Sequence, residues 1–196
     1  MEYKLGDIYF RLKGITPCVT DNPETAFLQF EGKPKLRKVK DGLDMEEIES
    51  KTYRLDDGSL GFKQAGIIAC MLLGASHQRI KKFGAKKMIM GTVQPTGRLF
   101  GFVTKTDQPI KDFELCKEPG RNPNLRSAGI MTVRPMISLP WYMNIHWKYF
   151  NMSEPDWILD ALQVGGIKYG IGSLRPGLGH GLTYGTFEVE DMKVEI

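Results

Sequence analysis

The sequence predicts an α+β protein with a ferredoxin-like fold, an antiparallel sheet built in βαββαβ order with two helices on one face. Three observations predict it. Period-two alternation marks strands near both ends of the chain and in 141–149, and two other stretches carry apolar residues at helical spacing. These segments also follow one another as strand, helix, hairpin, hairpin, helix, strand, with one middle hairpin as an elaboration.

In YKLGDIYFRLK (3–13), Ile8, Phe10 and Leu12 fall on one face and Tyr9, Arg11 and Lys13 on the other, the pattern of a half-buried strand. From 16 to 60 regularity fades under Pro17, Pro23 and Pro34. A basic run (Lys33, Lys35, Arg37, Lys38, Lys40) gives way there to an acidic one (Asp41, Asp44, Glu46, Glu47, Glu49), and the stretch reads as a loop insertion. Asp57-Gly58 forms a turn and Ser59 is a candidate N-cap. Ala65, Ile68, Ala69, Leu72 and Leu73 then predict the buried face of a helix over about 61–75.

A basic patch (Arg79, Lys81, Lys82, Lys86, Lys87) leads to MIMGTVQ (88–94) and RLFGFVT (98–104), which read as a hairpin around Pro95-Thr96-Gly97. Residues 105–128, rich in Pro, Asn and charge, read as a second loop insertion in a single domain spanning 1–196. In 141–149 the core positions are Trp141, Met143, Ile145, Trp147 and Tyr149. Across a turn at Leu139-Pro140 they are expected to pair with a strand carrying Met131, Val133 and Ile137. The shared polar face would then hold Thr132, Arg134, Tyr142, Asn144, His146 and Lys148, with Pro135 at a bulge or edge. Ser153 is the candidate N-cap of a second helix with the stripe Trp157, Ile158, Ala161 and Leu162, which Gly165-Gly166 is expected to stop. A last strand near 183–195 places Phe187 and Val189 in the core.

Composition removes several classes. The chain has 196 residues, 27 Lys plus Arg against 23 Asp plus Glu, and a net charge of +4, too small to identify a nucleic-acid binder by itself. No run approaches the ~20 apolar residues of a membrane helix, and MEYKLGDIYF lacks the order of a signal peptide, so a soluble cytoplasmic protein without membrane partners is expected. Cys18, Cys70 and Cys116 are odd in number and outside any CxxC spacing, the pattern of buried free thiols rather than a zinc site. No cofactor motif occurs. His77, His146 and His180 are the only histidines, and no nucleophile–base pairing or paired-carboxylate metal pattern accompanies them, so a non-catalytic protein is expected.

The most uneven feature is glycine: 22 residues, eight of them at 165, 166, 170, 172, 177, 179, 181 and 185. The segment has no period, no GKS or GKT, and no strand ahead of Gly170-Ile-Gly172, so neither a P-loop nor a dinucleotide fingerprint is met. Two readings stay open. The backbone amides around Gly170, Gly172, Gly177 and Gly179, flanked by Lys168, Arg175 and His180, could approach a phosphate chain; or the glycines make a tight connection tucked against the sheet.

The helix, this loop and the final strand resemble the C-terminal signature of the RAMP superfamily, ferredoxin-like RNA-binding proteins that include backbone subunits of CRISPR effector complexes. The carrying residues are GIGSLRP (170–176) and YGTFEV (184–189). Thr16-Pro17, Asn22-Pro23, Tyr53–Gly58, Arg134-Pro135 and Trp141 further resemble a group of small phage-encoded proteins of this length. Two departures stand out: no small-residue run ends in Gly-Phe-Gly, and Thr186 stands where many relatives have arginine. The resemblance implies single-stranded RNA or DNA held along a sheet face, with copies or related subunits assembling in a filament. The residues expected to hold it are Arg134, Tyr142, His146 and Lys148 on the sheet, Lys35, Arg37 and Lys38 in the first insertion, and the glycine loop with Lys168, Arg175 and His180. The alternative is a phage assembly or interaction subunit that binds no nucleic acid.

Overall fold

The computed structural model describes residues 5–22, 45–80, 83–121, 129–150, 154–178 and 182–195. Its elements are β1 (Leu5–Gly14), β2 (Cys18–Val19), α1 (Met45–Ser50), β3 (Gly61–Lys63), α2 (Gln64–Ala75), β4 (Arg79–Ile80), β5 (Phe83–Gly84), α3 (Ala85–Ile89), β6 (Val93–Pro95), β7 (Leu99–Val103), β8 (Glu114–Arg121), β9 (Gly129–Ile137), β10 (Tyr142–Phe150), α4 (Pro155–Lys168), a 3-10 turn (Pro176–Leu178) and β11 (Phe187–Glu195). The main sheet runs β11-β1-β10-β7-β3, with β6 also on β10. Reduced to β1, α2, β7, β10, α4 and β11, this is βαββαβ in strand order 4-1-3-2, the expected ferredoxin-like arrangement.

Alternation in β1 and β10 specifies the centre of the sheet. Ile8 faces Trp147 across the strands and Phe10 faces Ile145, so these side chains and Leu12, Met143 and Tyr149 all point to the helix layer and are buried. A slip of one residue would carry all of them into water, at ~1.5–3 kcal/mol for each large side chain, which holds the register.

The two helices touch through their backbones. A Cβ on Gly74 of α2 would lie 2.0 Å from the Ala161 carbonyl oxygen of α4, and one on Gly165 would lie 2.4 Å from that of Cys70. This contact decides which side of α2 is inside. The buried residues are Ile67, Cys70, Met71, Gly74 and Ala75, whereas Ala65, Ala69 and Leu73 of the expected face are exposed and Ile68 and Leu72 half-buried. The helix is apolar on nearly every side, so its periodicity could not select a face. The same packing explains why Gly165-Gly166 does not end α4, which continues to Lys168: Gly165 is the point of contact with α2, and Gly166 lies against Phe187.

Other boundaries also differ from expectation. Ser59 does not cap α2; it donates its amide and hydroxyl hydrogens to Asp57 Oδ1 in the preceding turn, and Lys63 is the N-cap residue. Ser153 lies outside the described residues. Residues 93–103 do not form a hairpin. Pro95 pairs with Trp147 and Phe102 with Met143, so β6 and β7 run in tandem along one edge of β10, interrupted where Pro95 lacks a donor.

Nor do β9 and β10 pair. β9 is central in a separate sheet of order β2-β9-β8, while β10 joins β1. Pro135 is accommodated there because its carbonyl, which accepts Thr20 N–H, and its donor-less nitrogen face the side where the two-residue β2 has ended. The supposed loops therefore contain structure: the 16–60 stretch includes β2 and α1, and the 105–128 stretch includes β8. A small second core of Val19, Cys116 and Leu174, with Met136, Leu182 and Tyr184 against it, joins this sheet to the glycine-rich segment.

Candidate nucleic-acid interface

Both helices cover one face of the main sheet, which among the described residues leaves the other face bare over β11, β1 and β10. Strand alternation aims Asp7, Tyr9, Arg11 and Lys13 to that side, together with Tyr142, Asn144, His146 and Lys148. At its centre the Tyr9 and His146 rings stack with centroids 4.6 Å apart and planes 8° from parallel. His146 Nε2 lies 2.5 Å from Asp7 Oδ1, and Lys148 Nζ donates to both Asp7 oxygens at 2.8 and 3.1 Å. These partners, Lys148 first and His146 second, hold the Asp7 carboxyl below its ordinary pKa.

Toward the other end of the strands, Arg11 gathers a second network. Its Nη1 donates to Asp107 Oδ1 at 2.6 Å and Asn144 Oδ1 at 2.9 Å, its Nη2 to the Lys105 carbonyl, and its Nε to Glu190. The guanidinium also lies 4.8 Å from the centre of the Tyr142 ring, which is buried beneath it. Asp107, with φ of 60°, is thereby tied to the sheet, and the Arg11 and Asn144 bonds lower its pKa. Lys13 pairs with Glu188 at 2.7 Å and Lys193 with Glu195 at 2.5 Å. The bare face is thus a mixed-charge surface in which Arg11, Lys13, Lys148 and Lys193 each meet a carboxylate.

The described part of the glycine-rich segment lies elsewhere and is tightly seated. Gly170, Gly172 and Gly185 have φ of 62°, 89° and 71°. Ile171 N–H donates to the Gly185 carbonyl, Gly185 N–H to Pro17, Ser173 N–H to Val19, and Gly177 N–H to Tyr169, so these amides face the protein's own backbone. A Cβ on Gly172 would meet the Val19 oxygen at 2.3 Å, and one on Gly185 the Ile171 oxygen at 1.9 Å. Arg175 is half-buried and donates from Nη1 to the Gly172 carbonyl at 2.6 Å. Nearby, Tyr184 OH donates to Glu118 at 2.8 Å, which raises the phenol's pKa, and burial raises that of Cys116. This geometry is that of the tight connection, one of the two readings the sequence leaves open.

The structure therefore divides the expected set. It brings together Tyr142, His146 and Lys148, though Tyr142 is covered. It moves Arg134 to β9, bonded to Asp21 at 2.8 Å on the sheet that packs against the glycine segment. Lys168 is exposed at the end of α4. Lys35, Arg37, Lys38, Gly179 and His180 lie outside the described residues. The residue that sequence reasoning missed is Asp7, although its place two before Tyr9 in the alternation puts it on the same face. Asp107 carried no such signal, since a loop delivers it. Among the described residues no group of His, Cys, Asp and Glu is arranged to hold a metal ion, and no helix is long and apolar enough to cross a membrane.

No family model matches the sequence, and no curated protein does. Solved structures do match in fold. One is a chain of the type III-B Cmr-beta assembly, determined by cryo-EM bound to cognate target RNA, with a TM-score of 0.53 and 11% identity over 98% of this chain and 61% of that one. The chain thus spans about three fifths of that subunit's length. At this identity the likeness shows a shared mixed α+β architecture.

Proposed function

We propose that this protein binds single-stranded nucleic acid, RNA in preference to DNA, without catalysing a reaction, and that the bare sheet face holds unpaired bases. The observation that carries the reading is the half-exposed Tyr9–His146 stack at the centre of a ferredoxin-like sheet whose other face takes both helices. Bases stack on such platforms for about 1–3 kcal/mol each whatever their sequence. The preference for RNA is supported by the RAMP resemblance and by fold likeness to a chain in an RNA-bound assembly. Because carboxylates balance the cations of the face, much of the phosphate attraction falls to cations off it, such as exposed Lys86, Lys87 and Lys168. In this reading the protein acts in a host cytoplasm beside related subunits or copies of itself.

Filter binding of labelled single-stranded RNA and DNA at two salt concentrations tests it. Tyr9→Ala should weaken RNA binding about tenfold, as loss of one stacking contact implies, while Tyr9→Phe retains it. Equal affinity of Tyr9→Ala and wild type, or no binding at low salt, refutes the proposal. The matched charges of the same face favour one other reading, a protein-interaction surface, which predicts a defined oligomer by light scattering without nucleic acid.

A further inference from the structure

The cations Arg11, Lys13, Lys148 and Lys193 of the bare face are not neutralised in equivalent ways. The Lys13–Glu188 and Lys193–Glu195 pairs are exposed at the rim, where such pairs exchange partners at little cost. Arg11 is fixed by Asp107, Glu190, Asn144 and the Lys105 carbonyl and covers Tyr142. Asp7 is the carboxylate that bonds to the aromatic stack itself. Its two oxygens take Lys148 Nζ, and Oδ1 also meets the imidazole that stacks on Tyr9. From the neighbouring strand, Glu195 stands opposite Asp7 and Lys193 opposite Tyr9. A carboxylate that engages an ammonium with both oxygens and an imidazole with one makes the contacts that phosphate oxygens make with the same groups.

We propose that Asp7 is a resident anion that holds Lys148 and His146 in place of a strand phosphate, so that the platform accepts a nucleotide only when its phosphate displaces this carboxylate. The inference rests on the nucleic-acid reading above and adds a specificity device to it. A polyanion with no base to stack gains nothing at the platform, because it must break the Asp7 contacts without a compensating contact to Tyr9. A single strand with unpaired bases gains the stack and can drive the exchange. Asp7 thus sets selectivity for single-stranded nucleic acid over other polyanions.

The test compares wild type, Asp7→Asn and Asp7→Asn/Lys148→Ala for binding of single-stranded RNA and of heparin across a salt series, with circular dichroism and urea midpoints to verify folding. Asparagine keeps the size of the side chain and an oxygen acceptor, so the strand pairing is preserved. Asp7→Asn should bind RNA about fivefold more tightly, the scale of one exposed ion pair. Its log–log salt slope should steepen by about 0.7, the contribution of one added phosphate contact on a single strand. Its heparin affinity should rise by a larger factor than its RNA affinity, and the double variant should lose these gains. If wild type binds RNA and a folded Asp7→Asn binds equally or more weakly, Asp7 positions the cations rather than blocking them, and the inference is overturned. If neither binds RNA, the nucleic-acid reading fails, and this inference with it.

Discussion

Replacing Gly74 by alanine tests whether backbone contact between the helices sets the architecture. The added Cβ would lie 2.0 Å from the Ala161 oxygen, 2.5 Å from the Gly165 nitrogen and 2.9 Å from the Gly165 Cα, all of them backbone atoms. Relief therefore requires α2 to move off α4 by about 1 Å, since carbon and oxygen need over ~3 Å. Such overpacking costs about 1–3 kcal/mol where side chains can shift and about 3 kcal/mol or more against backbone, while helix propensity returns about 1 kcal/mol. The expected net loss is about 2 kcal/mol or more, a fall of about 4–8 °C in Tm for a chain of this size. The control is Gly66→Ala in the same helix, which gains the same propensity and whose new Cβ has the Phe62 ring rather than backbone as its nearest neighbour, 2.8 Å from Cε1. Urea unfolding followed by circular dichroism measures both. A Gly74→Ala protein as stable as wild type, or as Gly66→Ala, would refute the close contact and with it the reason for the observed face of α2.

Three further outcomes are expected. Gly185→Ala combines a φ of 71° with a Cβ 1.9 Å from the Ile171 oxygen and should cost about 2–4 kcal/mol, whereas Gly58→Ala, with φ of 78° and open space around it, should cost about 1 kcal/mol; urea midpoints distinguish them. Burial pushes the Cys18 and Cys70 thiols up to about 12 and raises that of Cys116, so native protein at pH 8 should resist a thiol-labelling reagent that modifies all three cysteines after denaturation. Asp7 and Asp107 have lowered pKa values, so the stability they contribute is present above the ordinary aspartate pKa of ~3.9 and is lost as pH falls through their folded values. A carboxyl-resolved NMR titration should show Asp7 below the ordinary range, and Lys148→Ala should move it upward.

Local pattern was legible where one face of an element is apolar and the other polar. Ile8, Phe10 and Leu12 in β1, and the odd positions from 141 to 149, are buried as their alternation requires, and Phe187 is in the core. The stripe Ile158, Ala161 and Leu162 is likewise buried in α4. Legibility failed where a segment is apolar all round, as in α2, or where the partner of a strand is distant. Nothing within 131–149 says that β10 pairs with β1 while β9 turns away to another sheet, since both arrangements satisfy the same alternation.

The candidate site divides in the same way. The polar parity of β1 placed Tyr9 and Arg11 on one side of that strand, and the parity of β10 placed His146 and Lys148 on one side of theirs, from sequence alone; the pairing of the two strands brings the sets together. That Tyr142 is covered, that Arg134 lies on a different sheet, and that carboxylates from 107, 188, 190 and 195 balance the cations depended on a loop and a strand remote in sequence. The glycine cluster shows the division most fully. Its count and position could be read directly, but whether its amides face a ligand or the protein's own backbone depends on which segments lie within 3 Å of it. The sequence by itself determined the order of elements and the inward face of the central strands, because backbone periodicity and burial act locally. Tertiary structure alone decided strand partnership, the inner side of α2 and the charge balance of the bare face, because those depend on groups brought together only when the chain closes on itself.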